Sequence, residues 1–329
     1  ASIDAVLGQE FDGSCEVLVV DGKSTDRTRE IVREIAARDP RVKLLDNPGM
    51  IVPTAMNVGI RAAHGDIIVR IDGHCRIPRD YIASVLKAFG ESGAACVGGA
   101  MIAEGEGYWG EVIAGATSSA FGMGGVRFHG HGQPRYMDTV YLGAYPRQVL
   151  LDAGLYDEEF VRNQDDELNS RIRALGGKVY FTSRIWAAYT CRSTLGKLAS
   201  QYFQYGWWKV RLYRKHPQML RMRHMLPSAF LLALVLPLPA SLWLGWKSLL
   251  LPAGLVALHA ALGLVSGIVG GTKAEQIPAQ VLAFLVIHLS YGAAFLGALA
   301  TAPLRASARS RPQSDRETHA IGSLDDLRH

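Results

Sequence analysis

Apolar residues are spread unevenly along the chain, and the spacing changes character near Leu226. Ahead of that point they come in short, interrupted runs. Cys15-Glu16-Val17-Leu18-Val19-Val20 reads as a buried strand, and Ile31, Val32, Ile35 and Ala36 recur at helical spacing. Val42 to Leu45 is a second strand, a helix follows from about Pro53 to Ala63, and Ile67 to Ile71 is a third strand that stops at Asp72-Gly73-His74. Strand, helix, strand, helix, strand at this spacing predicts parallel pairing through right-handed crossovers. Ser24 or Thr25 is placed to cap the first helix, and Asn47-Pro48-Gly49 marks a turn before the second. A glycine-rich stretch from Gly98 to Gly132 is expected to be a mobile loop. Asp138 to Tyr145 then reads as a strand, Arg147 to Ala153 as a short helix, and Leu168, Ile172 and Leu175 as the apolar stripe of another helix.

Beyond Leu226 the apolar residues run together. Leu226 to Leu244, Leu249 to Val269 and Ile277 to Leu299 each reach about 20 residues, the length that spans a bilayer. Lys209, Arg211, Arg214, Lys215, Arg221 and Arg223 precede these runs, and Arg305, Arg309, Arg311 and Arg316 follow them. The positive-inside rule puts both basic flanks on the cytoplasmic side, whereas three full crossings would separate them. The run from Leu226 to Leu244, broken by Pro227, Pro237 and Pro239, is therefore the candidate for a re-entrant or interfacial piece, the alternative being three true spans with a tolerated basic tail. The formal charge of +5 is concentrated in these flanks, which points to anionic lipid and away from nucleic acid. Cys15, Cys75, Cys96 and Cys191 show neither metal-type spacing nor a disulfide framework and read as reduced, mostly buried thiols.

The candidate chemistry lies at the strand ends. Ligands of an open α/β sheet bind beyond the carboxyl ends of its strands, where Asp21 and Asp72 both fall. Asp72 and His74, two residues apart with glycine between them, are able to hold a divalent cation against a phosphate. Neither turn carries GxGxxG or GxxxxGK[ST], so phosphates here would rely on a metal. His129 and His131 in the glycine-rich stretch are candidates to complete its shell, or else solvated loop residues. Asp165, Asp166 and Glu167 crowd the start of a helix. The helix dipole favours acids there, but three in a row exceed what a cap needs, and mutual repulsion would raise at least one pKa toward general-base use.

Taken together, Val19-Val20-Asp21-Gly22-Lys23-Ser24-Thr25-Asp26, Asn57-Val58-Gly59-Ile60, Asp72-Gly73-His74 and Gln164-Asp165-Asp166-Glu167-Leu168 resemble the family 2 glycosyltransferases of the GT-A fold. The closest look is to the succinoglycan-type glucosyltransferases of bacterial exopolysaccharide synthesis. The resemblance implies an α/β, Rossmann-like and mostly parallel sheet over residues 1–195, whose first strand precedes Ala1. A basic aromatic juxtamembrane segment over 196–225, a transmembrane or re-entrant region over 226–302 and a basic tail over 303–329 follow. It implies donor contacts from Asp21, Asp26 and Asp72, a Mg²⁺ or Mn²⁺ ion on Asp72 and His74, and Asp165 as the catalytic base. His74 stands where the family's second acid is usual, and Gln164 replaces the first acid of the later pair. Gln204-Tyr205-Gly206-Trp207-Trp208 is the nearest match to Q-x-x-R-W, with Trp in place of Arg, which favours single-sugar addition. Gln204, Trp207 and Trp208, with Asp166, are the acceptor or lid candidates; the two tryptophans equally suit an aromatic belt at the bilayer surface.

The implied activity is inverting transfer of a sugar, glucose in the leading reading, from a UDP-sugar to a lipid-linked saccharide. The expected setting is the cytoplasmic face of a bacterial inner membrane, beside membrane lipids and other polysaccharide assembly proteins. A polyprenyl-phosphate sugar synthase and an inactive scaffold of an assembly complex are the alternatives.

Overall fold

The computed structural model describes residues 2–123 and 132–301. A short helix α1 (Ser2–Leu7) leads into β1 (Val17–Asp21), α2 (Thr28–Arg38), β2 (Val42–Asp46), α3 (Val52–Ala62) and β3 (Ile67–Val69), the alternation that the apolar pattern predicts. β1 and β2 pair in parallel, from Val17 opposite Val42 to Asp21 opposite Asp46. The start of α2 differs from expectation, because its N-cap is Arg27 and neither Ser24 nor Thr25. The Ser24 N–H is turned back to Asp21 Oδ2 (3.1 Å), and Asp26 Oδ1 accepts from the Thr28 N–H (3.0 Å). Those local bonds hold the β1–α2 turn open for three more residues before the helix begins.

The chain continues through β4 (Cys75–Arg76), α4 (Tyr81–Ser92), β5 (Cys96–Glu104), α5 (Gly107–Ser118), α6 (Ala120–Met123), β6 (Arg135–Tyr136), β7 (Tyr141–Pro146), α7 (Arg147–Asp152), α8 (Gln164–Ala174) and β8 (Val179–Thr190). These strands make a sheet of order β3-β7-β5-β8-β4, with β6 also on β8. β5 and β8 are parallel, whereas β3 with β7, β5 with β7, β4 with β8 and β6 with β8 are antiparallel. The α/β class holds, but the sheet is mixed and not mostly parallel. β1 and β3, expected over one crevice, lie in different sheets. The physical reason is that the partner of β3 comes from far down the chain, with Ile67 opposite Pro146, and helix-strand alternation does not reveal so distant a pairing.

Most of the glycine-rich stretch is regular structure rather than a loop, since β5, α5 and α6 occupy it. Its glycines serve close approach. A Cβ on Gly99 would sit 1.8 Å from the Ile185 carbonyl oxygen, at the bulge where β5 passes β8. His129 and His131 lie outside the described residues.

After β8 come α9 (Leu195–Lys215), α10 (Met222–Val235), α11 (Pro237–Leu244), α12 (Leu250–Val269) and α13 (Ile277–Thr301). Met222–Leu244, Trp246–Val269 and Ala274–Thr301 are each long and apolar enough to cross a membrane. α10 and α11 meet at Leu236, which keeps helical backbone angles. Pro237 opens α11, where its missing N–H costs little. α13 is not a separate anchor. Its Phe284 and Ile287 share one apolar core with Val112 and Ile113 of α5 and with Leu198 and Tyr202 of α9. Near its start, Glu111 of α5 accepts from Lys273 Nζ (2.9 Å) and Gln276 Nε2 (2.8 Å). At its end the Leu299 carbonyl accepts from Arg214 of α9 (3.4 Å).

Candidate active site

The carboxyl end of β3 and the first turn of α8 meet at one guanidinium. Arg70 Nε donates to Asp72 Oδ1 (2.8 Å), while its Nη1 donates to both Asp165 oxygens (2.9 and 3.0 Å). The arginine side chain is only 11% exposed, so the two acids are held by a cation that water scarcely reaches. Asp165 is placed by the sharp entry to α8, where Asn163 takes a left-handed conformation (φ 58°). Burial raises the Asp165 carboxyl above the usual range; Arg70 opposes that rise, and the charges of Asp72 and Asp166 add to it. The result is a carboxylate stabilised by one partner in an otherwise unfavourable site, 35% exposed.

The other two acids of the turn have different surroundings. Asp166 is ion-paired with Lys209 of α9. Glu167 is fully buried. Burial alone would raise its carboxyl, but His216, Arg171 and Lys215 hold it down at about 2. Glu167 is therefore a structural anion that ties α8 to the end of α9, and of the three only Asp165 and Asp166 face open space.

Ligand atoms of Asp72, His74 and Cys75 lie within 4.8 Å of one another. Asp72 and His74 suit a hard or borderline divalent cation, with donor phosphate oxygens able to fill the remaining positions. Cys75 suits it less well. Burial pushes its thiol up, away from the thiolate that binds metal, and its Sγ lies 3.0 Å from the Tyr141 hydroxyl.

Arg70, Asp72, His74, Asp165, Asp166 and Gln204 line one cleft of about 2110 Å³. Gln204 is fixed there by Arg162 Nε (3.0 Å). Other expected residues are not brought in. Asp21 and Asp26 are not among the described residues lining this cleft. Asp21 is buried at the end of β1, where the bond from Ser24 and then the Arg29 guanidinium (2.7 Å) hold its carboxyl at about 2. Trp207 stacks on Phe203, and Trp208 lies against Phe160 under the Arg211 guanidinium. α9 lines the cleft with Lys197, Gln201, Tyr205, Lys209 and Tyr213, every fourth residue, and with Ser200, Tyr202 and Gln204 beside that row. Trp207 and Trp208 are not among the described residues lining this cleft.

Residues 1–128 match the model of Glycosyl transferase family 2. The succinoglycan biosynthesis protein ExoA of Rhizobium meliloti (strain 1021) is 32% identical over 287 residues, covering 86% of this chain and 85% of that protein. The chain belongs to glycosyltransferase family 2. A dolichyl N-acetyl-alpha-D-glucosaminyl phosphate 3-beta-D-2,3-diacetamido-2,3-dideoxy-beta-D-glucuronosyltransferase of Methanococcus voltae is 27% identical, over 61% of this chain and 64% of its own length. Among solved structures, a mannosyltransferase from Pyrobaculum calidifontis in complex with GDP-Man and Mn²⁺ superposes with a TM-score of 0.55. It has 19% identity and covers 91% of this chain and 82% of that one, a likeness of fold. The fold of this glycosyltransferase is thus GT-A, followed by three helices capable of spanning a membrane.

Three further residues that the local sequence pattern does not single out lie at the candidate site. Arg70 sits inside the strand run, two residues before Asp72, and a basic residue in an otherwise apolar strand was the available signal. Lys209 was read only as part of a basic membrane flank, although it pairs with Asp166. Cys75 directly follows His74.

Proposed function

We propose that this glycosyltransferase moves a sugar, glucose in the leading reading, from a UDP-sugar to a lipid-linked saccharide during polysaccharide synthesis, with inversion at the anomeric carbon. The observation that carries the reading is the Arg70 bridge, which sets a metal-type acid and a base-type acid on opposite sides of one guanidinium in one cleft. Asp165 accepts the proton of the acceptor hydroxyl as that oxygen bonds to the anomeric carbon. The bond from that carbon to the diphosphate oxygen breaks with its electron pair, and a single displacement inverts the centre. A divalent cation, Mg²⁺ or Mn²⁺, on Asp72 and His74 would neutralise the charge that develops on the leaving diphosphate. Arg70 favours the ionised form of Asp165 until the acceptor arrives, and Lys209 holds Asp166 in an ion pair. Asp21 and Asp26 belong in this reading to the donor's nucleotide end through the β1–α2 turn. The lipid-linked acceptor is supported by the apolar helices that border the cleft. It is supported too by the name of the Methanococcus relative, whose acceptor is a dolichyl-phosphate sugar. A catalytic domain on the cytoplasmic side of a bacterial inner membrane follows from the basic flanks.

The test is paired. Asp72→Ala is expected to abolish metal-dependent binding of UDP, and Asp165→Asn to spare that binding while cutting transfer on the order of a thousandfold. Normal transfer by the Asp165 variant would remove the base and favour an acceptor that is already anionic, a polyprenyl phosphate. Wild-type protein that binds no UDP with Mn²⁺ would favour a scaffold.

A further inference from the structure

The cleft does not end at the carboxylates. It continues past Asp166 and Lys209 into the space between α10 and α12, with α13 beneath. Along the way the lining changes twice. At the catalytic end it is acidic and tied to Arg70. Next comes a belt of Lys209, Arg221, Arg223 and His224, joined by short contacts: Tyr213 Oη lies 2.6 Å from His224 Nδ1, and Arg223 Nε lies 3.3 Å from His224 Nε2. Beyond the belt the walls are mostly apolar, the exception being the hydrogen-bonded pair His259 and His288 (3.0 Å). α10 presents Leu226, Phe230 and Ala233, and α12 presents Leu255, Leu258 and Leu262, each set on one helix face.

Two details mark the belt as a place for an anion. Arg223 has no carboxylate partner among the described residues, although its neighbours Lys209 and Arg221 pair with Asp166 and Asp138. The hydroxyl of Tyr291, on α13 in the cleft wall, is shielded from solvent and has no hydrogen-bond partner among the described residues. A shielded hydroxyl left unpaired is costly, and a phosphate oxygen would satisfy it. An anionic group with a long apolar tail matches a belt in which Arg223 has no carboxylate partner among the described residues, followed by a mostly apolar trough.

We propose that the trough between α10 and α12 binds the isoprenoid chain of a polyprenyl phosphate or pyrophosphate acceptor, with its phosphate held by Arg223, Lys209 and the Tyr291 hydroxyl. This rests on the lipid-linked acceptor proposed above and assigns residues to it. Leu258 and Leu262 line the chain's path, and the saccharide beyond the phosphate points back toward Asp165.

The test uses the full chain in lipid nanodiscs and a polyprenyl phosphate carrying a photoactivatable diazirine on its chain. Labelling is expected in the peptides that contain Phe230 and Leu258, displaced by unmodified polyprenyl phosphate and not by phosphatidylglycerol or inorganic phosphate. Arg223→Gln and Tyr291→Phe are each expected to weaken that competition roughly tenfold, the worth of one charge-assisted or buried hydrogen bond. Leu258→Trp should block labelling, whereas Val256→Trp, on the other side of α12, should leave it intact. Equal displacement by phosphatidylglycerol, or labelling that survives Leu258→Trp, would overturn the site. Metal-dependent UDP binding is measured on the same wild-type sample. Labelling of the trough without UDP binding defeats the transferase reading and keeps the lipid site, and UDP binding without trough labelling does the reverse.

Discussion

Arg70 decides how Asp165 behaves. A half-buried carboxylate beside two other acids is poorly ionised unless a cation compensates, and Arg70 is that cation. With Asp165 raised by burial, activity should fall as pH drops through its pKa, above the ordinary carboxylate range. Arg70→Met removes the one stabilising charge, so the pKa rises further and the acid limb of kcat/KM should move to higher pH. An unmoved limb in a pH-rate profile of the variant would show that Arg70 does not act through Asp165. Much of this site was legible one residue at a time. Asp72, His74 and Asp165 are marked by local pattern, an acid at a strand end and an acid at a helix start. Arg70 was not legible, because its role is defined by a partner on α8 that no local window contains. Mutual repulsion among the three acids is not what chiefly sets their ionisation. Burial is the leading cause of the Asp165 shift, and Glu167 goes the opposite way because His216, Arg171 and Lys215 surround it.

Elements dock here through glycine as much as through apolar side chains. A Cβ on Gly206 of α9 would lie 2.4 Å from the Tyr291 carbonyl oxygen of α13, and one on Gly292 would lie 2.5 Å from the Pro227 carbonyl oxygen of α10. Small residues at such crossings let backbones approach, which is how helices associate when lipid removes the hydrophobic drive between them. Gly206→Leu is expected to separate α9 from α13 and to destabilise the protein by about 1–3 kcal/mol, as overpacking does. Gly254→Ala, on α12 with open space around it, is the comparison that should leave the midpoint unchanged or raised. Thermal unfolding in detergent measures both, and equal midpoints for Gly206→Leu and wild type would refute the close-packing role. The element order was readable from periodicity, but strand pairing was not. Alternation licenses parallel crossovers, and the antiparallel pairings of β7 with β3 and β5, and of β8 with β4 and β6, make the sheet mixed. The glycine-rich stretch misled for a related reason. Glycine signals either a loop or a close contact, and Gly99 against Ile185 is the second kind.

At the scale of the whole molecule, the disposition of α13 governs how the protein meets a bilayer. Its 25 residues cover about 36 Å, yet both ends are tied down, to Glu111 of α5 through Lys273 and Gln276 just ahead of it and to Arg214 of α9 through the Leu299 carbonyl. Its neighbour α9 carries Lys197, Lys209, Arg211, Arg214 and Lys215 and is ion-paired to the catalytic domain through Asp157, Glu159 and Asp166. A helix lying along such a partner is expected to rest at the membrane surface, leaving α10–α11 and α12 to go out and return. Trp243 and Trp246, strongly exposed at the turn between them, suit the far interface. That arrangement keeps both basic flanks on one side, with α13 rather than the proline-bearing run as the segment that does not cross. A reporter fused after Thr301 is therefore expected on the same side as the catalytic domain, and protease protection of that reporter in sealed vesicles would refute it. Because α13 is clamped at both ends, the height of Asp165 above the lipid headgroups is set by the protein and not by the membrane. On the proposed reading, such a scaffold works as a ruler that would favour a lipid-linked acceptor whose terminal hydroxyl stands at that height.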